Sequence, residues 1–365
     1  MKKITSLLIL VFCLSTAAFA QYTYEFTVVK QNPATPVKNQ ARTGTCWCFA
    51  TTSFIESELM RMGKGEHDLS EMYIVRKVYE DRIADNYLRR GRGNLGPGSV
   101  AHIFTIAMDK YGLIPDKFYN GINYNSTTHN HSALQKYVNT ISKTAVELKE
   151  RAPKELIDGL LDAYLGKVPS KFNYNGKDYN AQSFYKSLGL NADDYVEITS
   201  FTHHPFYQAI TVEVSDNWDY GKSYNLPLDE MMAVVDNAIN NGYTVAWDGD
   251  VSEKSYNFSK LIALSAPNGL NDLKERVKEE PVTQESRQAM FENFTTTDDH
   301  LEHIVGIAKD QEGAKYYITK NSWGTERNGT GSHYMSSDYV KGKTIAFLVH
   351  KNSIPKEIRA KLGIK

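Results

Sequence analysis

The residue whose type and place could do chemistry here is a cysteine. Of three cysteines, Cys13 lies in an apolar amino-terminal stretch, which leaves Cys46 and Cys48, two positions apart. A bridge between residues so close would be strained, so the pair is no disulfide framework. From Thr45 the pattern turns helical, with Trp47, Ala50, Phe54, Ile55, Leu59 and Met62 at mostly three- and four-residue spacing and Gly63 as a stop. Cys46 then stands at a helix N-terminus, where the macrodipole and unpaired amides favour a thiolate. Against a nucleophile stands the ordinary fate of a free cysteine, a buried structural thiol. Cys48 lies roughly 200° further round the helix, so the two cannot serve one cleft, and Cys48 reads as structural.

A thiol nucleophile needs a base and an oxyanion site, and the base is expected from a distant segment. Asp298, Asp299, His300 and His303 stand at the start of an apolar, β-branched run. On a strand His300 and His303 face opposite sides, so only one can meet Cys46. No pair among these four has a zinc-ligand spacing, and no metal or organic cofactor is expected. His203 with His204, and His129 with His131, lie in polar, turn-rich sequence and read as solvated loop residues.

The neighbourhood of Cys46 resembles the active-site segment of papain-like cysteine peptidases, with Gln40 six residues before the cysteine and Trp47 directly after it. Asp298-Asp299-His300 followed by Ile304-Val305-Gly306 is similar to the family's histidine strand, in which glycine follows the histidine by six residues. That register selects His300 over His303. Asn321-Ser322-Trp323-Gly324 is similar to the family's asparagine segment. The resemblance implies Cys46 as nucleophile, His300 as base and Asn321 as its orienter, with Trp323 shielding that bond. Gln40 and the Cys46 amide would stabilise the oxyanion, and Gly96 and Gly98 would pair with substrate backbone. Tyr111 to Pro115, Tyr164-Leu165-Gly166, and Leu226-Pro227-Leu228 through Trp247 look like the bleomycin hydrolase (aminopeptidase C) branch. The sequence departs from that branch at Leu301, Glu302 and Cys48.

These residues must be held by elements on either side. Helices are expected from about Ser70 to Leu88, Val100 to Lys110, Ser132 to Leu165 and Leu228 to Asn240, with a hairpin over Phe172–Tyr179 around Asn175-Gly176. Ile210, Val212 and Val214 alternate as in a strand, and further strands are expected at Tyr243–Trp247, Ile304–Ala308, Tyr316–Lys320 and Thr344–Val349. Helices early and strands late make an α+β layout in two lobes. The resemblance gives it a papain-like form: a helical lobe at about 40–115, an extra helical insertion at about 115–240, a strand-rich lobe at about 241–350 and a carboxy-terminal arm at 351–365.

The expected activity is hydrolysis of peptide bonds, as an aminopeptidase whose carboxy-terminal arm lies in the cleft. An endopeptidase, and an impaired papain-like binding protein suggested by Leu301 and Glu302, are the alternatives. A net charge of −1 over 365 residues carries no nucleic-acid footprint. Lys2 and Lys3, an apolar run from Ile4 to Leu14, and Ala18-Phe19-Ala20 read as a signal peptide cleaved before Gln21. The run is too short for a transmembrane anchor, so residues 21–365 are expected to be exported, to the periplasm or beyond. Peptides are the expected partners, and the resemblance adds a homo-oligomer, a hexamer in the branch.

Overall fold

The computed structural model describes residues 23–266, 269–270 and 276–365, so the proposed leader lies outside the described residues. The chain opens with strand β1 (Phe26–Gln31), then helices α1 (Cys46–Arg61), α2 (Glu71–Leu88), α3 (His102–Tyr111), α4 (Ser132–Leu148) and α5 (Lys154–Leu165). A hairpin of β2 (Phe172–Tyr174) and β3 (Lys177–Tyr179) leads to α6 (Ala181–Leu188), and then to β4 (Tyr195–Thr199), β5 (Ala209–Ile210) and β6 (Ser223–Asn225). Next come α7 (Leu228–Asn240), β7 (Val245–Gly249), β8 (Tyr256–Asn257), β9 (Ile262–Ala263) and α8 (Gln284–Glu292). The last part comprises β10 (His300–Asp310), β11 (Lys315–Lys320), β12 (Ser332–Ser336), α9 (Ser337–Lys343), β13 (Thr344–His350) and α10 (Lys356–Leu362).

One sheet runs in the order β5-β6-β4-β13-β7-β10-β11-β12-β9-β8. Strand β10 is long enough to be flanked twice, by β7 along His300–Ile304 and by β1 along Gly306–Asp310. Side chains alternate across this sheet, so its two faces bury different cores. Ala246, Leu301 and Leu348 join the cluster around α1, whereas Val245, Trp247, Ile304, Phe347 and Val349 join the cluster around α7. Helix α1 is buried at every position from Cys46 to Leu59, because sheet and helices enclose it.

Several expectations are corrected. The periodicity from Ser132 to Leu165 is two helices, because Lys149 turns left-handed and Pro153 starts a new helix. Only Ala209–Ile210 of the alternating stretch pairs as a strand. The insertion is not wholly helical, since β4, β5 and β6 extend the main sheet by pairing through β13. Strand β1 had no alternating signal, because it pairs with β10 while most of its residues remain exposed.

The carboxy-terminal segment is the largest correction. Ile354, Ile358 and Leu362 are buried in the cluster around α7, and Lys361 Nζ donates to Glu230 Oε1 at 2.5 Å. The tail is a helix docked on the face of the sheet that α1 does not occupy. It does not lie in the cleft, because the stripe of apolar residues at four-residue spacing drives it onto the nearest open core.

Candidate active site

Thr45 precedes α1 without a side-chain cap, and its carbonyl takes the Cys48 and Phe49 amides, so that no side chain competes for the Cys46 and Trp47 amides at the tip. Cys46 is 8% exposed, and the Leu301 and Trp47 amides lie near enough to its thiol to favour the thiolate. Burial pushes it up to about 12, Asp298 and Asp216 push the same way, and the two amides oppose them. The Leu301 amide follows His300 directly, so the first strand residue of β10 is brought to the tip of α1.

His300 is buried, and its Nε2 donates to Asn321 Oδ1 at 2.9 Å. That acceptor fixes the tautomer and leaves Nδ1 with its lone pair. Burial pulls His300 down to about 4, and the Asn321 bond opposes it. The Trp323 ring lies 4.8 Å from the imidazole, tilted by 32°, and covers the pair. His303 stands apart, with Ser53 Oγ 2.8 Å from its Nδ1 and the Phe54 ring edge-on.

Asn321 is held from below. Its Nδ2 donates to Glu302 Oε1 and to Tyr256 Oη, both at 2.9 Å, and Tyr256 Oη donates to the same carboxyl oxygen at 2.5 Å. Glu302, as a departure from the branch beside the base, is expected to disturb it. Its side chain instead lies under Asn321, with no exposed surface, and sets which end of the carboxamide meets His300. Burial raises this carboxyl to about 8, while the Tyr256 bond opposes the rise.

Gln40 is buried against the same segment. Ser322 Oγ donates to its Oε1 at 2.6 Å and its Nε2 donates to Thr43 O at 2.8 Å, which leaves one amide hydrogen to give. Trp47 Nε1 donates to Pro97 O at 3.1 Å, tying α1 to the Gly96–Gly98 segment. Arg82 of α2 donates to both Gly96 O and Gly98 O, so those carbonyls are occupied. Cys48 has no exposed surface and donates to Glu71 O at 3.2 Å.

Of the two histidine pairs read as solvated, His131 departs from that reading, while His203 and His204 stay in an exposed loop. His131 is 2% exposed, with the Tyr79 ring 6.2 Å away, and burial lowers it to about 4. His203 and His204 both bond Glu213, at 3.1 and 2.7 Å. These three are a ligand-like group among the described residues. Gln288 Nε2 donates to His203 Nδ1 at 2.8 Å, while Gln288 Oε1 accepts from the Thr202 amide. The imidazole proton therefore sits on Nε2, toward Glu213, and blocks that nitrogen from a metal.

Comparison with known proteins follows the geometry. The chain belongs to the peptidase C1-like family, whose model matches residues 96–364, and it is a papain-like cysteine peptidase of the aminopeptidase C branch. It is 22% identical over 376 residues to the aminopeptidase C of Lactobacillus helveticus, covering 88% of this chain and 80% of that one. It is 23% identical over 372 residues to the aminopeptidase C of Listeria monocytogenes, covering 88% and 81%. The mitochondrial cysteine proteinase 1 of Saccharomyces cerevisiae is 22% identical over 396 residues, covering 92% and 79%. Among solved structures, the pepw crystal structure from Lactobacillus rhamnosis matches with a TM-score of 0.69 at 17% identity, over 92% of this chain and 84% of that one. That likeness shows the α+β papain-like fold. No described helix is long and apolar enough to cross a membrane.

Proposed function

We propose that the protein is a cysteine aminopeptidase that works through Cys46, His300 and Asn321. The observation that carries this is the hydrogen-bonded line from His300 to Asn321 and Glu302, on a strand whose next residue, Leu301, has its amide beside the Cys46 thiol. Burial disfavours either charge alone, so proton transfer from Sγ to Nδ1 creates thiolate and imidazolium together, each stabilising the other. The thiolate attacks the peptide carbonyl. The remaining Gln40 hydrogen and the Cys46 amide donate to the oxyanion. Imidazolium then protonates the leaving amine, and water, deprotonated by the same ring, hydrolyses the acyl-enzyme.

The names of the relatives support the amino-terminal preference, and the departures at Leu301 and Glu302 are compatible with turnover because Glu302 orients Asn321. The test is turnover of a fluorogenic peptide panel with free and blocked amino ends. Cleavage of the free-amine set, abolished in Cys46→Ala, is expected; equal cleavage of both sets would leave an endopeptidase. We further propose that the protein is exported through its first 20 residues and assembles with copies of itself. Amino-terminal sequencing of exported protein beginning at Gln21, and light scattering of the purified form, test these two points.

A further inference from the structure

With the tail docked against α7, the amino end of a substrate needs another reader. The loop between β5 and β6, residues 211–222, lies across the segment that carries Gly96 and Gly98. Asn94 Nδ2 donates to Ser215 O at 2.6 Å and Trp218 Nε1 to Ser99 Oγ at 3.1 Å. Between those clasps the Asp216 carboxylate rests on Gly98 so closely that a methyl group there would overlap it. An extended peptide cannot run past Gly98 on that side.

The opposite wall is also acidic. Asp248 of β7 pairs in register with Leu301, the residue whose amide lies beside the Cys46 sulfur. Asp248 is 2% exposed, no N–H or hydroxyl among the described residues donates to its carboxyl oxygens, and the only group it shares a proton with is the carboxyl of Asp298. Asp298 lies next to it, and no N–H or hydroxyl among the described residues donates to its Oδ2. Both Asp298 and Asp216 are within electrostatic reach of Cys46. Arg82 and the Asn94 side chain face Asp216, but the cations nearby are also engaged by other groups. Arg82 donates to Gly96 O and Gly98 O, and His102 lies between Glu197 and Asp219, at 3.0 and 2.9 Å. A cavity of about 580 Å³ opens from Asp298 between Val214, Ser215, Phe291 and Phe294.

We propose that Asp216, Asp248 and Asp298 form the seat for the α-ammonium group of the substrate's first residue. The loop at 211–222, not the tail, then limits the enzyme to chain ends. This rests on the aminopeptidase reading. Crowded carboxyls that have mainly one another for partners are costly until a cation reaches them, and an ammonium brings three donors and a positive charge. The α-nitrogen stands about 2.5 Å from the carbonyl carbon under attack, which suits acids that feel the Cys46 thiol itself. A lysine side-chain ammonium is four methylenes further out.

The experiment compares kcat/KM for leucyl-aminomethylcoumarin, its N-acetyl form and N-acetyl-lysyl-aminomethylcoumarin. The proteins are the wild type, Asp216→Asn, Asp298→Asn and a form extended beyond Lys365. The free amine should be preferred by about 100-fold, and each asparagine variant should lower that preference about tenfold through KM, with Tm retained. The extended form should keep the preference. Folded asparagine variants that keep the wild-type ratio, a ratio lost on extension, or a wild type that favours the N-acetyl-lysyl substrate would each overturn the proposal. If no substrate is cut and a thiol-directed probe leaves Cys46 unlabelled, the peptidase reading fails by itself. Calorimetry of leucinamide against N-acetyl-leucinamide on Cys46→Ala then tests the seat alone: preference for the free amine, lost in Asp216→Asn, supports it, and equal binding overturns it.

Discussion

Two buried groups of charge flank α1, and they are built on opposite plans. On one side Lys38, Lys320, Glu56 and Glu71 satisfy one another. Lys38 Nζ donates to Glu71 Oε1 at 2.8 Å, Lys320 Nζ to Ser53 Oγ at 2.7 Å, and Glu56 accepts from the Leu69 amide at 2.8 Å and from Thr35 Oγ1 at 2.5 Å. On the other side Asp216, Asp248 and Asp298 gather with an excess of negative groups: Arg82 and Asn94 serve Asp216, while Asp248 and Asp298 have only each other, and no N–H or hydroxyl reaches Asp248 or Asp298 Oδ2 among the described residues. The first group ties α1 to β11 and the amino-terminal loop. It has no need of anything from outside. The second is complete only when a cation arrives, and this separates a structural charge cluster from a binding one.

Removing one member of the paired group should do the most damage. Glu56→Ala leaves the Leu69 amide and the Thr35 hydroxyl without their acceptor and removes a carboxylate that offsets the charge of both lysines, and is expected to cost about 3–5 kcal/mol in urea unfolding. The unpaired group should respond in the opposite sense. Asp248→Asn relieves the burial and the repulsion of a carboxyl set against Asp298, so stability should rise by about 1 kcal/mol while KM for free-amine peptides increases. A loss of stability on that change would erase the contrast.

Glu302 lies between the two plans, since it is buried with donors on only one oxygen. Its proton is kept in the folded state up to about 8 and lost near the ordinary carboxyl value when unfolded. The folded state therefore binds more protons between these values, and stability falls as pH rises through that window. Glu302→Gln mimics the protonated form and should flatten this fall, by roughly 1–2 kcal/mol at pH 8 relative to wild type. Melting curves from pH 5 to pH 8.5 measure it, and parallel curves for both proteins would count against a retained proton.

The smallest effect is a pH profile. Burial first, then Asp216, Asp299 and Glu197, raise Asp298 to about 7, with Asp248 beside it. Preference for the free amine should therefore climb severalfold as the seat gains charge through neutral pH. It should decline again above about pH 8, as the substrate amine loses its proton. A flat ratio of free to acetylated substrate across that range would separate these carboxyls from recognition.

Much of the candidate site was legible because its signals are local. Gln40 to Trp47, His300 to Gly306 and Asn321 to Gly324 each carry their spacing within one short segment. The acidic seat had no such signal, since Asp216, Asp248 and Asp298 come from three separate segments that only the tertiary fold brings together. The direction of Glu302 was equally hidden, because the partner that accounts for it, Tyr256, lies on another strand. The tail was misread for a different reason. Ile354, Ile358 and Leu362 carry a visible four-residue apolar spacing, and the family resemblance overrode that local pattern. His131 is buried although its neighbours are polar, because its backbone amide pairs with Arg42 O and draws the ring in against Tyr79.

The docked tail also has a practical side. Lys365 is exposed at the end of a short helix on the far face from Cys46. An affinity tag, a fluorophore or a surface linker fused there leaves the mouth of the cleft open, so the protein can be immobilised by its last residue and still be offered peptides from solution.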